Sequence, residues 1–276
     1  MRVAYLGPAG TYTEEALHAS APPTVEPIAY PTVYETVMAV QERAVERAVV
    51  PIENSLEGGV AATLDVLATD ADTVRIAREV VHPIHHCVVA RRPLPLERIT
   101  RVVSHPQATA QCARFLRERL PRAERVAAPS TADAVKRVRD ADAPWAALGS
   151  RLSAELYGCR VLAAGVEDHP DNVTRFVWLA PADAEPEPAE RAKTSIVFWG
   201  AGDERPGWLL AVLRELADRG INLTRIESRP RHGRLGHYMF FADLEGAEHD
   251  PRVRAALDAL RGRGETVRVL GSYPAA

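Results

Sequence analysis

"DNVTRFVWLA", residues 171–180, decides the architecture. Around Arg175 the run Val173, Phe176, Val177, Trp178, Leu179 is apolar and β-prone, which predicts a buried strand with a cation in its middle, and an arginine is almost never buried without a partner. Upstream of it, short apolar runs alternate with helical patterns: "RVAYLG" then a helix over 12–20, "EPIAY" then 32–43, "RAVVPI" then 60–68. That rhythm predicts a mostly parallel sheet with helices on both faces. Residues 73–90 are long, β-rich and interrupted at Pro83, as a strand leaving one sheet for another would be. The rhythm resumes with "ITRVVS", a helix over 106–119, "RVAAP", a helix over 131–139, "WAALGS" and a helix over 151–157. "NVTRFVWLA" then returns the chain to the first sheet. The expectation is an α/β domain over 1–180 made of two lobes, one about 1–75 with 172–180 and the other about 76–171, joined by two crossing strands with a cleft between the lobes.

Downstream, residues 181–193, "PADAEPEPAERAK", hold three prolines and four acidic residues without apolar periodicity, the composition of a linker. Such a segment cannot transmit strain like a rod. Beyond it the order is strand 194–199, helix 207–219, strand 222–229, strand 237–245, helix 250–261 and strand 266–272. This βαββαβ unit over 194–276 predicts a small α+β ferredoxin-like domain.

Bulk properties narrow the function. The 276 residues are 46% hydrophobic with a formal net charge of −3, which argues against an electrostatically driven nucleic-acid or membrane binder. Cys87, Cys112 and Cys159 are an odd number at wide spacing, which fits reduced thiols of a cytoplasmic protein better than a disulfide frame. "MRVAYLGPAG" has no apolar core of a signal peptide, and no run is long enough to span a membrane.

Three strand-to-helix junctions share a chemistry. In "GPAGTYTEEA", Gly7 and Gly10 allow tight turns while Thr11 and Glu14 have capping-box spacing; in "SHPQATAQCARFL", Ser104 and Gln107 repeat it; in "VVPIENSLEGGV", a strand ends in Glu53, Asn54 and Ser55 ahead of Gly58 and Gly59. Each leaves N–H groups and a helix dipole at the carboxyl edge of a sheet, where a carboxylate or phosphate is favoured. One such junction is an ordinary cap; three converging ones point to an anion site. "GPAG" is neither G-x-G-x-x-G nor a P-loop, so no nucleotide is implied. For Arg175 two partners remain open, a substrate carboxylate gripped bidentately or an internal salt bridge to Glu53 or another acid. Thr174 is either a functional hydroxyl or a β-branched residue suited to a strand. "HPIHHC", residues 82–87, does not predict a metal site, because His85 and His86 point to opposite faces of a strand and no CxxC or HExxH accompanies them.

Taken in order, "GPAGTYTEEA", "VVPIENSLEGG", "SHPQATAQC", "NVTRF" and "INLTRIESRP" resemble the prephenate dehydratase family with a C-terminal ACT regulatory domain, and the resemblance covers nearly the whole chain. It implies conversion of prephenate to phenylpyruvate in phenylalanine biosynthesis, with loss of carbon dioxide and water and without metal or organic cofactor. It implies a periplasmic-binding-protein-like pair of lobes closing over prephenate. Thr174 is then the donor to the departing hydroxyl and Arg175 a grip on a substrate carboxylate. Gly10, Thr11, Asn54, Ser55, Ser104, His105, Gln107, Ala108 and Phe176 line the substrate site, although capping suits His105 and core packing suits Phe176 at least as well. The resemblance further implies a homodimer or homotetramer whose ACT domains bind L-phenylalanine as allosteric effector. Asn222, Leu223, Glu227, Ser228, Arg229 and Pro230 form one side of that site, with Glu227 and Arg229 locking a loop by an ion pair, and Gly207, Trp208 and Leu209 form the other. Trp208 stands where the family has a small residue, so a bulky indole is expected to narrow the effector pocket or change its preference. Arogenate dehydratase is the alternative enzyme on this scaffold, and a non-catalytic amino-acid or keto-acid sensor the alternative without chemistry. Loss of the threonine would mark the sensor, and Thr174 is present.

Overall fold

The computed structural model describes residues 1–200, 202, 205–231 and 236–276. Lobe one begins with β1 (Arg2–Leu6), α1 (Tyr12–Ser20), β2 (Glu26–Tyr30), α2 (Val33–Gln41), β3 (Arg47–Asn54), the short β4 (Gly58–Gly59), α3 (Ala61–Thr69) and β5 (Val74–Pro83). The chain crosses at residues 84–86 into lobe two: β6 (Cys87–Ala90), β7 (Arg101–Ser104), α4 (Pro106–Gln111), α5 (Ala113–Arg119), β8 (Glu124–Ala127), α6 (Thr131–Asp140), β9 (Trp145–Gly149), α7 (Arg151–Leu156) and β10 (Arg160–Ala164). It returns as β11 (Val173–Pro181). The last unit is β12 (Ala192–Gly200), α8 (Trp208–Ala217), β13 (Leu223–Pro230), β14 (Tyr238–Glu245), α9 (Pro251–Gly262) and β15 (Glu265–Pro274).

The first sheet has the order β2-β1-β3-β11-β5, with β4 folded back on β3. β1 runs parallel to β2 and β3, as the βαβ rhythm predicts, but β11 is antiparallel to both β3 and β5. All of β5 belongs to this sheet, so the switch between lobes comes later than the expected residue 75. The second sheet, β10-β6-β9-β7-β8, is parallel only across β9, β7 and β8. Its edge strand β10 has no counterpart among the expected elements, and the predicted helix over 106–119 breaks at Cys112 into α4 and α5.

The last unit is the expected ferredoxin-like domain, an antiparallel sheet β13-β14-β12-β15. One face, through Ile196, Phe198 and Ala242, packs on Val212 and Leu216 of α8 and Leu257 and Leu260 of α9. The other face is not solvated. Val197, Met239, Phe241, Leu270 and Tyr273 join Leu64, Leu67, Ile76, Val177 and Leu179 of lobe one in a single apolar core. Gly271 permits the approach: a Cβ there would lie 2.2 Å from the carbonyl oxygen of Ile76. The strands on either side of the linker thus share a core although the linker itself carries no packing pattern.

Candidate functional site

A cavity of about 310 Å³ opens between the two lobes. Lobe one contributes Thr11, Tyr12 and Thr13 at the start of α1, Asn54 at the end of β3, and Thr174 and Phe176 on β11; lobe two contributes His105, Gln107 and Ala108 around the start of α4 and Ser130 and Thr131 at the start of α6. Ile84 and His86 line it from the crossing segment. Thr11, Asn54, His105, Gln107, Ala108, Thr174 and Phe176 therefore line one cavity.

Four expected residues lie elsewhere. Ser104 is fully buried and donates its hydroxyl to the Leu148 carbonyl at 2.9 Å, so it ties β7 to β9 rather than facing a ligand. Ser55 accepts from the Val173 amide at 3.0 Å and clips β11 to the turn after β3. Gly10 sits in a left-handed turn, φ 90°, with its carbonyl accepting from Ser150 of lobe two at 3.1 Å. Arg175 points to the opposite face of β11 from Thr174, as alternation along a strand requires. Its guanidinium meets Glu53 and Glu79 at 3.1 Å and Asp243 at 2.7 Å, which answers the open question in favour of the internal salt bridge.

The capping boxes also differ from expectation. Thr11 donates to the Leu6 carbonyl at 3.0 Å and makes no side-chain cap, while Glu14 turns back to the Gly10 amide, so the first-turn N–H groups of α1 stay uncapped at the cleft. His105, not Ser104, is the N-cap of α4, its Nδ1 accepting from the Gln107 amide at 3.3 Å. The third helix N-terminus is that of α6, where Ser130 accepts from the Asp133 amide at 2.9 Å. Its S-x-x-D spacing in "STAD" is a legible signal that the sequence reading passed over. Among the described residues no Lys or Arg side chain lines the cleft, so an anion there would be met by helix N-termini rather than by a cationic side chain.

A hydrogen-bonded chain runs along the floor. The Asn54 side-chain amide donates to Thr174 Oγ1 at 2.9 Å and to Asn172 Oδ1 at 2.8 Å, while its oxygen accepts the amides of Leu56 and Glu57. Asn172, itself fully buried, donates to Gln111 Oε1 at 3.2 Å, which also lies 3.0 Å from His86 Nε2. Burial holds the His86 ring below the usual histidine range against the opposing influence of Gln111 and Glu167. The neutral ring then donates from Nε2 to Gln111 and accepts at Nδ1 from the Tyr12 hydroxyl, 2.7 Å away. Burial pushes the Tyr12 phenol well above its ordinary value, with Glu15 adding to it, so it stays a donor. Asn172, Gln111, His86 and Tyr12 were not singled out from the sequence as site residues, although Tyr12, Gln111 and Asn172 lie inside the motifs "GPAGTYTEEA", "SHPQATAQC" and "NVTRF". Thr174 Oγ1 is thus an acceptor from Asn54, and among the described residues no protein acceptor takes its own hydrogen. The three thiols are buried and pushed upward by that burial, so none is poised as a nucleophile. No group of three metal-ligating side chains occurs among the described residues.

The expected effector segment is also placed. Asn222, Ser228 and Pro230 are exposed, whereas Glu227 and Arg229 alternate onto the face turned to lobe one. Glu227 pairs with Arg225 rather than with Arg229, and Arg229 holds Asp65 of α3 through two bonds of 2.6 and 3.1 Å, so the expected Glu227–Arg229 lock is absent from the described structure. Gly207 N-caps α8, and Leu209 is half-buried. The Trp208 indole turns inward: it packs at a tilt against Phe198 and Phe240 and donates to Glu265 at 2.8 Å. It is 9% exposed in the core of this domain, and with Gly207, Ala211 and Glu265 it also lines a cavity of about 480 Å³.

Residues 3–184 match the family model for prephenate dehydratase, and residues 194–262 that for the ACT domain. A prephenate dehydratase of Amycolatopsis methanolica is 42% identical over 273 residues, covering 99% of this chain and 88% of that protein. Among solved structures, prephenate dehydratase from Arthrobacter aurescens in complex with L-Phe superposes with a TM-score of 0.91 at 40% identity, covering 100% of this chain and 90% of that one. A second, described as GqqA, a novel type of quorum quenching acylases, gives 0.88 at 30% identity and covers 100% and 98%.

Proposed function

The chain belongs to the prephenate dehydratase family and carries an ACT domain behind its catalytic lobes, and from that premise we propose how its cleft works: helix N-termini hold prephenate while Thr174 protonates the departing ring hydroxyl. Prephenate is a dianion. In the elimination, the bond from the ring to its carboxylate breaks, its electron pair moves through the ring to complete aromaticity, and the carbon–oxygen bond to the hydroxyl breaks at the far end. Carbon dioxide, water and phenylpyruvate result, with one proton taken up from solvent overall. A threonine hydroxyl is a weak acid, and aromatisation supplies the driving force that lets partial proton donation suffice.

The observation that carries this reading is the Asn54–Thr174 hydrogen bond. Because Thr174 Oγ1 accepts from the amide, its hydrogen is free to be donated, and the accepted bond polarises the hydroxyl toward donation. That no Lys or Arg among the described residues lines the cleft suits the chemistry as well. Gripping the carboxylate that leaves would stabilise the ground state and slow the step, whereas the apolar wall of Leu6, Pro51, Ile84 and Phe176 favours its conversion to neutral carbon dioxide. Acylase chemistry of the kind named for one structural neighbour would instead need a base to take the proton from a nucleophile. Thr174 is paired with a donor.

The ACT domain is read as a site for L-phenylalanine, supported by the 40% identical Arthrobacter protein whose structure contains it. Pairing of ACT domains in a homodimer or homotetramer is supported by the edge strand β13, where Ile226 is exposed, and by the exposed Leu210 of α8. A cytoplasmic place suits a biosynthetic enzyme in which no described helix is long and apolar enough to cross a membrane. The deciding experiment incubates the pure protein with prephenate and, separately, with arogenate. Phenylpyruvate from prephenate at the higher kcat/KM is expected; faster conversion of arogenate would move the substrate, and no product from either would leave the sensor.

A further inference from the structure

Thr174 and Arg175 are consecutive on β11, and each has its register partner on β3: Thr174 faces Asn54 and Arg175 faces Glu53. The same two dipeptides therefore carry the hydrogen bond in the cleft on one side and an ion pair on the other. The ion pair is not closed within lobe one. Arg175 Nη1 bonds Glu79 on β5 at 3.1 Å, and Nη2 bonds Asp243 on β14 of the ACT sheet at 2.7 Å. The second oxygen of Asp243 accepts the Ser195 hydroxyl at 2.6 Å, and Ser195 in turn receives the Tyr273 hydroxyl at 2.6 Å, so Asp243 is fixed to β12 and β15. Glu79 is shared with Lys193 at 2.6 Å and with the Ala276 amide at 2.9 Å. Glu53 is approached by Arg225 of β13 at 3.6 Å. The ACT sheet thus holds both members of the back-face pair, Arg175 through Asp243 and Glu53 through Arg225.

We propose that Arg175 is a positioning residue through which the ACT sheet sets the geometry of the Asn54–Thr174 pair, and that this buried carboxylate–guanidinium cluster is the route by which an effector on the ACT domain changes turnover. The proposal rests on the reading of Thr174 as proton donor. Its physical basis is stiffness. The side chains of Arg175, Glu79 and Asp243 are 10%, 2% and 3% exposed, so water cannot replace a lost partner, and parting the charges is costly. When Asp243 moves with its sheet, the guanidinium follows. The peptide joining residues 174 and 175 must turn with it, and that turn re-aims the threonine hydroxyl on the opposite face. Arg225, on the strand that carries the effector segment, acts in the same sense on the Glu53–Asn54 peptide.

The test is Asp243→Asn in the full chain. Asparagine keeps the volume and an acceptor for Ser195 but removes the charge facing Arg175, which retains Glu53 and Glu79. Rates are measured at a temperature where circular dichroism shows the variant as folded as wild type. Misplacement of a reacting group lowers kcat more than KM, so the expected result is a kcat lower by about tenfold, KM within about twofold, and inhibition by added L-phenylalanine weakened by at least about fivefold. Ser195→Ala, which frees Asp243 from its anchor and leaves its charge, should shift kcat the same way by about two- to threefold. A lower melting temperature with kcat and the L-phenylalanine response both unchanged overturns the proposal and leaves an ordinary structural ion cluster. If Asp243→Asn does not fold, Ser195→Ala alone decides by the same criterion. Absence of turnover by the wild-type chain would instead strike the dehydratase reading itself, so the two failures are distinguishable.

Discussion

Replacing Thr174 with valine exchanges one hydroxyl for a methyl group of similar size at a site only 8% exposed. The fold should barely notice. The Asn54 amide that donates to Thr174 Oγ1 also lies 2.8 Å from Asn172 Oδ1 and 3.1 Å from the Val173 carbonyl, so both of its hydrogens keep acceptors after the change. With no buried donor stranded, the stability cost should stay below about 1 kcal/mol. The rate should notice, because a single donor aimed at an oxygen that gains charge in the transition state contributes about 10²- to 10³-fold, or roughly 3–4 kcal/mol. KM should move little, since the bond strengthens only as the carbon–oxygen bond breaks. Thr174→Ser keeps the hydroxyl and should retain turnover within about tenfold of wild type. Initial rates of phenylpyruvate formation across a range of prephenate concentrations, with thermal unfolding of each variant, separate the effects. Turnover by Thr174→Val within about threefold of wild type would refute the donor assignment.

Gly10→Ala places a Cβ 2.9 Å from that of Ser153, across the contact between the lobes and at φ 90°; about 1–3 kcal/mol of stability should be lost, together with a raised KM, read by thermal unfolding and steady-state kinetics. Because burial depresses His86, the unfolded chain protonates this ring first. The stability the neutral ring contributes is complete above the ordinary histidine value and is lost as pH falls through the depressed one, so the wild-type melting temperature should drop more steeply than that of His86→Gln between about pH 7 and about pH 5. Trp208→Phe keeps an aromatic ring beside Phe198 and Phe240 but removes the donor to Glu265; about 1–2 kcal/mol should be lost in thermal unfolding, while calorimetry shows L-phenylalanine affinity within about threefold of wild type.

Local pattern carried most of the fold into view. Each helix and strand expected from periodicity has a counterpart, because amphipathic spacing and turn residues act within one element. What escaped depends on neighbours distant in sequence. The apolar pattern of Val173–Pro181 reveals a buried strand but not its direction, and it runs antiparallel between two strands of lobe one. β10 is a short edge strand without alternation strong enough to see. In the site, Thr174, Asn54 and the start of α4 were legible from motifs, yet Arg175 was counted with Thr174 in the cleft. Strand geometry alone forbids that: adjacent residues face opposite sides, so Thr174 and Phe176 can share a cavity while Arg175 cannot. The roles of Asn172, Gln111 and His86 were not legible because they arise from hydrogen bonds spanning 25 to 118 positions along the chain.

The insertion of β11 between β3 and β5 has a bearing on how the molecule is made. During synthesis the first strands of lobe one leave the ribosome without the strand that bridges β3 to β5, and that strand follows only after the whole of lobe two has been translated. Lobe two is continuous in sequence and can close its own sheet first, so the half synthesised second is the half able to finish earlier. Lobe one must wait with Leu64, Leu67 and Ile76 uncovered, and its last cover, from Phe241 to Tyr273, is translated only after lobe two and β11. Such contacts between distant positions slow folding and leave apolar surface open to association on the way, which makes the nascent first lobe the segment most in need of a chaperone.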